Sequence, residues 1–334
     1  MMDKANPLET EFLVIGAGMA GLTAAKALRE AGRAVLVLDK GRGVGGRMAT
    51  RRLAGGRADH GAQFFTVRSP EFQAQVTEWL AAGVVFEWAR GWSDGSLLTP
   101  QSDGHPRYAA VEGMTAVPKQ LAHHLPIQLN TRLTRVTAVP SGWLAEDEQG
   151  GQYRSRALIL TPPAPQSLAL LAAGGVVLQP DDRRALEHIV YAPCLCGLFH
   201  VSGPVHLPAP GALQRPGHAF AWIADNQAKG ISPEARLITL HAGPEWSQAM
   251  WDAPDASVLA ELQGELAHFL SGETAVLATH LKRWRYAVPT TPHPERTLVA
   301  QGLPPLAFAG DAFDGPRVEG AYLSGLTAAR QLMG

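Results

Sequence analysis

"VIGAGMAGLTAAKALREAGRAVLVLDKGRGVGGRMAT", residues 14–50, carries two glycine clusters separated by one acid at the end of a strand-like run. A buried strand, residues 11–16, runs into Gly16-Ala17-Gly18-Met19-Ala20-Gly21 and then the helical "LTAAKALREAG". Each glycine has its own use: Gly16 for a tight turn, Gly18 for close approach to a diphosphate, Gly21 for packing helix on strand. The diphosphate would sit over the helix N-terminus, where unpaired N–H groups and the dipole favour anions. Gly32 ends the helix, and "AVLVLD" supplies a second strand. Asp39 lies at its end, placed to accept hydrogen bonds from a ribose diol. Strand, glycine turn, helix, strand and acid in this order predict a dinucleotide cradle. They do not separate NAD from FAD.

The second cluster, Arg42-Gly43-Val44-Gly45-Gly46-Arg47, follows the acid at once. Its glycines let the backbone approach a bulky cofactor, and a guanidinium can fork onto a diphosphate. An exposed turn with two arginines is the plainer alternative. The chain continues into a compact motif, "ADHGAQFFT", residues 58–66. Near the other end, "LAFAGDAFDGPRVEGAYLSGLTAARQLM", residues 306–333, reads as a strand, the pair Gly310-Asp311, a turn and a helix opening near Gly320. On its own, Asp311 could equally be a turn or capping acid.

Composition bounds the rest. A chain of 334 residues with 46% hydrophobic content is long enough for two folded domains and argues against disorder. The net charge of -1 offers no footprint for nucleic acid. No run is long and apolar enough for a membrane span, and the first residues lack a secretory pattern, so a cytoplasmic protein is expected. The two cysteines, Cys194 and Cys196, share one face of a strand, a poor spacing for a disulfide. They read as small buried hydrophobes, and no metal is expected.

Between the terminal motifs, residues 113–125 read as a helix, and residues 126–165 as strands with turns at Ser141-Gly142 and Gly150-Gly151. Two inserts interrupt this pattern. The first, residues 70–107, holds an amphipathic helix; the second, residues 166–286, alternates strands such as "CLCGLFHV", "AFAWIAD" and "RLITLHAG" with the helical "SVLAELQGELAHFLSG".

The combination of "GAGMAG", "DKGRGVGGRM", "DHGAQFF" and the C-terminal Gly-Asp segment resembles the flavin-containing amine oxidase superfamily. The short chain, "LKRWRYAVP" at residues 281–289 and "GPRVEGAYLSG" look most like its bacterial renalase branch. The resemblance implies an α/β fold: a Rossmann-like FAD-binding domain of residues 10–69, 108–165 and 287–334. An antiparallel substrate domain, residues 70–107 and 166–286, completes it. It implies non-covalent FAD held by Gly16, Gly18, Met19, Ala20, Gly21, Asp39, Lys40, Arg42, Gly46, Arg47 and Met48. Further contacts are implied from His60, Gly61, Ala62, Gln63 and Phe64, from Val136 and Thr161, and from Gly310, Asp311, Val318, Glu319, Gly320 and Ala321. His241, Trp284, Tyr286 and Phe65 are the implied substrate wall, with Trp246, Arg285 and Arg317 as further candidates.

In the resembling renalases, 2-dihydro and 6-dihydro isomers of NAD(P) give hydride to flavin N5, and dioxygen then takes the electrons to form hydrogen peroxide. The implied partners are therefore a dihydronicotinamide dinucleotide and dioxygen. Loss of hydride makes such a ring aromatic, so no acid–base residue is required and positioning dominates. In the resembling amine oxidases an aromatic cage guides a neutral amine and a lysine holds a water, which makes Lys282 a candidate. Carotenoid or porphyrin oxidation, and a non-catalytic flavin sensor, are the other readings.

Overall fold

The structure, a computed structural model, describes residues 7–95 and 101–334. The expectations drawn on residues 1–6, and residues 96–100 of the first insert, lie outside the described residues.

In chain order, β1 (Leu8–Ile15), α1 (Met19–Glu30) and β2 (Val35–Leu38) come first. The hairpin β3 (Thr50–Leu53) and β4 (Gly56–Asp59), α2 (Pro70–Ala81), and the pair β5 (Val85–Trp92) and β6 (Gln101–Ala110) follow. Next come α3 (Ala116–Ala122), β7 (Ile127–Gln128), β8 (Leu133–Val139), β9 (Gly142–Asp147) and β10 (Gln152–Leu160). Helices α4 (Ala164–Ala173) and α5 (Pro180–Glu187) lead to β11 (Val190–Val201), β12 (Ala212–Gln214), β13 (Phe220–Asp225) and β14 (Leu237–Ala242). The chain ends through α6 (Pro244–Ala249), α7 (Asp255–Ala267), β15 (Val276–Thr291), β16 (Leu298–Val299), β17 (Leu306–Phe308) and α8 (Val318–Met333).

These elements form two compact units. The first comprises Met1–Gly46, Pro118–Val190 and Pro289–Gly334; the second comprises Arg47–Val117 and Tyr191–Val288. The first unit is a Rossmann-like sheet ordered β16-β17-β10-β1-β2-β7, with β9 and β8 continuing from β10. Its centre is parallel: Phe12–Ile15 lies between Val35–Leu38 and Ala157–Leu160, all buried. A strand covered on both faces reads as the near-continuous apolar run seen here. The second unit is built on an antiparallel sheet, β12-β13-β14-β11-β15. One face packs Leu195, Phe199, Ile223, Ile238 and Leu240 against Val258, Leu262 and Leu266 of α7. Its other face carries Cys196, His241 and Trp222, which are direct cross-strand partners and so share one side.

The division differs from the sequence boundaries. Residues 47–69 and 108–117 belong to the second unit, and residues 166–190 to the first. Packing explains the first shift: a Cβ at Gly56 would meet Ser232, Ala235 and Leu237, so the β3–β4 hairpin is seated on residues leading into β14. Among the described residues, no helix is long and apolar enough to cross a membrane, and no group of three His, Cys, Asp or Glu could hold a metal ion.

Candidate active site

Two helix N-termini organise the first unit's site. Gly16 turns with φ +104°, and its N–H donates to the Leu38 carbonyl at 2.8 Å. The Thr161 hydroxyl locks this turn by donating to the Ile15 carbonyl at 2.7 Å. A Cβ at Gly21 would stand 1.9 Å from the Gly16 carbonyl oxygen, so helix and turn touch through bare backbone. At Gly18 a Cβ would meet nothing within 4 Å. The amides of Met19, Ala20 and Gly21 precede the first helical bond, from Leu22 N to the Gly18 carbonyl, and no side chain caps the helix. Asp39 accepts from the Ala17 and Gly41 amides, each at 2.6 Å, leaving lone pairs on both oxygens. The second glycine cluster folds back here: Gly45 N donates to the Ala17 carbonyl, and a Cβ on Gly46 would lie 3.6 Å from the Gly18 Cα. Lys40 reaches Gln166 at 3.3 Å, and Arg42 is exposed.

The C-terminal motif supplies the second helix end. Gly310 (φ +153°) donates its N–H to the Ser324 hydroxyl at 2.9 Å, and Asp311 follows it. Val318, Glu319 and Gly320 precede the first bond of α8, from Ala321 N to the Arg317 carbonyl, again with no side-chain cap. The Arg317 guanidinium reaches the Asp314 carbonyl at 3.4 Å. Val136 is buried, and a Cβ at Gly174 would sit 1.8 Å from its carbonyl oxygen. Helix packing thus crowds the backbone of this expected FAD contact. Two uncapped amide clusters and a glycine surface open at Gly18 fit an anionic diphosphate cofactor.

The second unit holds the expected substrate wall. Arg47 anchors the "DHGAQFF" loop: its carbonyl accepts from Ala62 N at 2.8 Å, and a Cβ at Gly61 would stand 1.9 Å from that oxygen. The Arg47 guanidinium donates to the Tyr286 carbonyl at 3.2 Å, and the neighbouring Met48 is buried. His60 stacks on Trp284 with centroids 5.4 Å apart and planes 15° apart. Trp284 Nε1 donates to the His60 carbonyl at 2.7 Å, and the His241 ring hydrogen-bonds the same backbone. His60 Nδ1 and His241 Nε2 are buried without partners. Burial pushes His60 down to about 3, with Lys282, His241, Arg51 and His280 adding to it. Burial also pushes His241 down to about 4, opposed by its bond to the His60 backbone and assisted by Lys229. Both rings are therefore neutral near neutral pH. Lys282 sits 4.4 Å from the Trp284 centroid, and Tyr286 meets the ring of Tyr191.

Phe65 does not join this cluster. It is 3% exposed and packed among Phe72, Trp79 and Tyr108, so it is a core ring with no surface for a substrate. Trp246 packs on Phe220 and the α7 side of the sheet, and Arg285 lies over Trp251. Phe64 instead joins Trp88, Trp92 and Trp222 in an aromatic group. Gln63 donates to the Asp59 carbonyl at 2.7 Å. Sequence reading missed the buried Asp59–Lys229 pair; the charged residues in "ADHG" and "NQAKG" were its one visible trace. The thiols are remote from reactivity: burial raises Cys196 and pushes Cys194 up to about 12.

Residues 14–80 match the NAD(P)-binding Rossmann-like domain, and residues 80–333 match the flavin containing amine oxidoreductase family. Over 189 residues the chain is 29% identical to coproporphyrinogen III oxidase of Mycobacterium tuberculosis, covering 54% of this chain and 41% of that protein. Over 72 residues it is 42% identical to a Mycobacterium tuberculosis protein named as a flavin-containing monoamine oxidase, covering 22% and 16%. The match thus spans about two fifths of the length of the coproporphyrinogen III oxidase relative. Wild-type putrescine oxidase bound to putrescine shares the fold, with a TM-score of 0.72 at 16% identity over 98% of this chain and 100% of that one. These likenesses reach the family at large and do not single out the renalase branch. The chain belongs to the flavin-containing amine oxidoreductase family, and its cofactor is FAD, held without a covalent bond.

Proposed function

We propose that the protein is an oxidase that removes hydride from a carbon bonded to nitrogen. Bound FAD would supply the hydride acceptor, and dioxygen would take the electron pair as the terminal oxidant, giving hydrogen peroxide. The observation that carries the reading is the His60–Trp284–His241 cluster, an indole stacked on one imidazole and joined through the His60 backbone to a second, both of which stay neutral near neutral pH. Neutral rings can accept a hydrogen bond and orient a planar nitrogen-bearing group, which is what hydride transfer from such a carbon requires of the protein. Family membership and the monoamine oxidase relative support an amine as substrate.

One feature favours a second reading, a 2- or 6-dihydronicotinamide dinucleotide, whose reacting carbon also adjoins nitrogen. The groups acting on His60 are all basic: Lys282, His241, Arg51 and His280. Lysine and arginine here suit a diphosphate-bearing substrate better than an ammonium.

The test is anaerobic stopped-flow of the holoprotein, following flavin absorbance. The panel holds primary amines, 6-dihydro-NAD, 2-dihydro-NAD, NADH and coproporphyrinogen III, the substrate class in the name of the mycobacterial relative. Bleaching by amines alone, with peroxide on admitting air, supports the first reading. Bleaching by the dihydro isomers and not by NADH supports the second. Bleaching by coproporphyrinogen III alone, or by nothing, overturns both.

A further inference from the structure

The second unit buries one full charge pair that the cluster's own contacts do not include. Lys229 and Asp59 are completely shielded from solvent, with Nζ donating to Asp59 Oδ2 at 2.7 Å. The same ammonium donates to the Gln63 carbonyl at 2.6 Å and lies 4.6 Å from the Trp88 centroid. Asp59 is fixed on its other sides too. Its Oδ1 accepts from Thr50 Oγ1 at 2.5 Å and Met114 N at 2.8 Å. Its N–H donates to Asn226 Oδ1 at 3.2 Å, and its carbonyl accepts from Gln63 Nε2 and from Thr239 Oγ1 at 2.8 Å.

Residues 59 and 63 thus converge on one ammonium, and His60 lies between them. We propose that Asp59 and Lys229 are positioning residues: the buried ammonium clamps both ends of segment 59–63 and so sets the His60 carbonyl that orders Trp284 and His241. Stability alone does not account for such a pair, because a buried ion pair is commonly replaceable by well-packed apolar residues at no loss. An ammonium has three donors, and it can hold a carboxylate and a carbonyl at once. No apolar side chain could hold the Gln63 carbonyl.

The inference rests on reading the cluster as the substrate surface, but its first test needs no substrate. In FAD-loaded protein labelled with 15N-histidine, NMR follows each imidazole through acid titration. The groups acting on His60 are Lys282, His241, Arg51 and His280, and the charge of Lys229 acts on His241 instead. His60 is therefore the diagnostic ring. In Lys229→Met, His60 is expected to titrate at least about one pH unit higher, as the released loop admits water. The ratio kcat/KM on whichever substrate turns over should fall on the order of 10²-fold, mainly in kcat.

The double variant Asp59→Asn/Lys229→Met leaves no unpaired buried charge and is the better folded of the two. It still lacks the bond to the Gln63 carbonyl, so the same His60 shift is expected. A wild-type His60 titration in either folded variant overturns the proposal. If no nitrogen-bearing substrate reacts but the shift is present, the functional reading fails and the clamp stands.

Discussion

At the scale of single residues, the two histidines set a pH dependence. An unfolded-chain histidine titrates near 6.5, whereas His60 and His241 are held down to about 3 and about 4. As pH falls below 6.5, the unfolded chain takes up protons that the folded protein refuses, so stability is lost on acidification. The loss continues until the folded-state values are reached. Each ring can contribute up to about 1.4 kcal/mol per pH unit in that window. Thermal melts should therefore show Tm dropping steeply with acidification below 6.5, and His60→Gln or His241→Gln should flatten the slope. An equally steep slope in both variants would show that other groups control it. Glycine gives a second prediction at this scale. With its Cβ 1.9 Å from the Gly16 carbonyl, Gly21→Ala must push helix from turn, costing about 1–3 kcal/mol. The variant should purify with a lower flavin-to-protein absorbance ratio than wild type.

Between elements, α1 and α8 pack through backbone. A Cβ at Gly325 would sit 2.0 Å from the Ala20 carbonyl oxygen, so Gly325→Leu should separate the helices, lower Tm and shed flavin together. A variant that keeps both would show that the pair tolerates separation. This contact also shows what was legible in sequence. The glycines of both ends were legible because strand, turn and helix follow one another locally, and each glycine's use depends on neighbours within a few residues. The antiparallel strands β11, β13 and β14 were legible from their apolar runs, and α2 and α7 from their helical period. Other features depend on partners far along the chain. Phe65 and Phe64 are adjacent, yet Phe65 enters a core with Phe72 and Trp79 while Phe64 joins Trp92 and Trp222. Nothing in "GAQFF" says which ring goes where. Lys229 meets Asp59 across 170 positions, and no local pattern marks that pairing. The contact units divide the chain differently from the sequence boundaries for the same reason, since residues 232–237 fix where the β3–β4 hairpin belongs.

At the scale of the molecule, neither unit is a continuous stretch: three segments build the first and two build the second. Cofactor binding should therefore stabilise the protein through amides far apart in sequence but within one unit. Gly16–Gly21 and the start of α8 come from opposite ends of the chain, and both present uncapped helix amides. A ligand that binds only the folded state stabilises it by about 2.7 kcal/mol at a hundred times its Kd. Stripping FAD and adding it back should thus lower and then restore Tm, by several degrees in all. Hydrogen exchange locates the effect. Protection gained on reconstitution is expected first at Met19 to Gly21 and at Val318 to Gly320, the amides that precede the first helical bond of α1 and of α8. Gain at only one helix end would remove the other from the cofactor site. Gain at neither, with Tm still restored, would move the diphosphate away from both helices and leave the glycine clusters to packing alone.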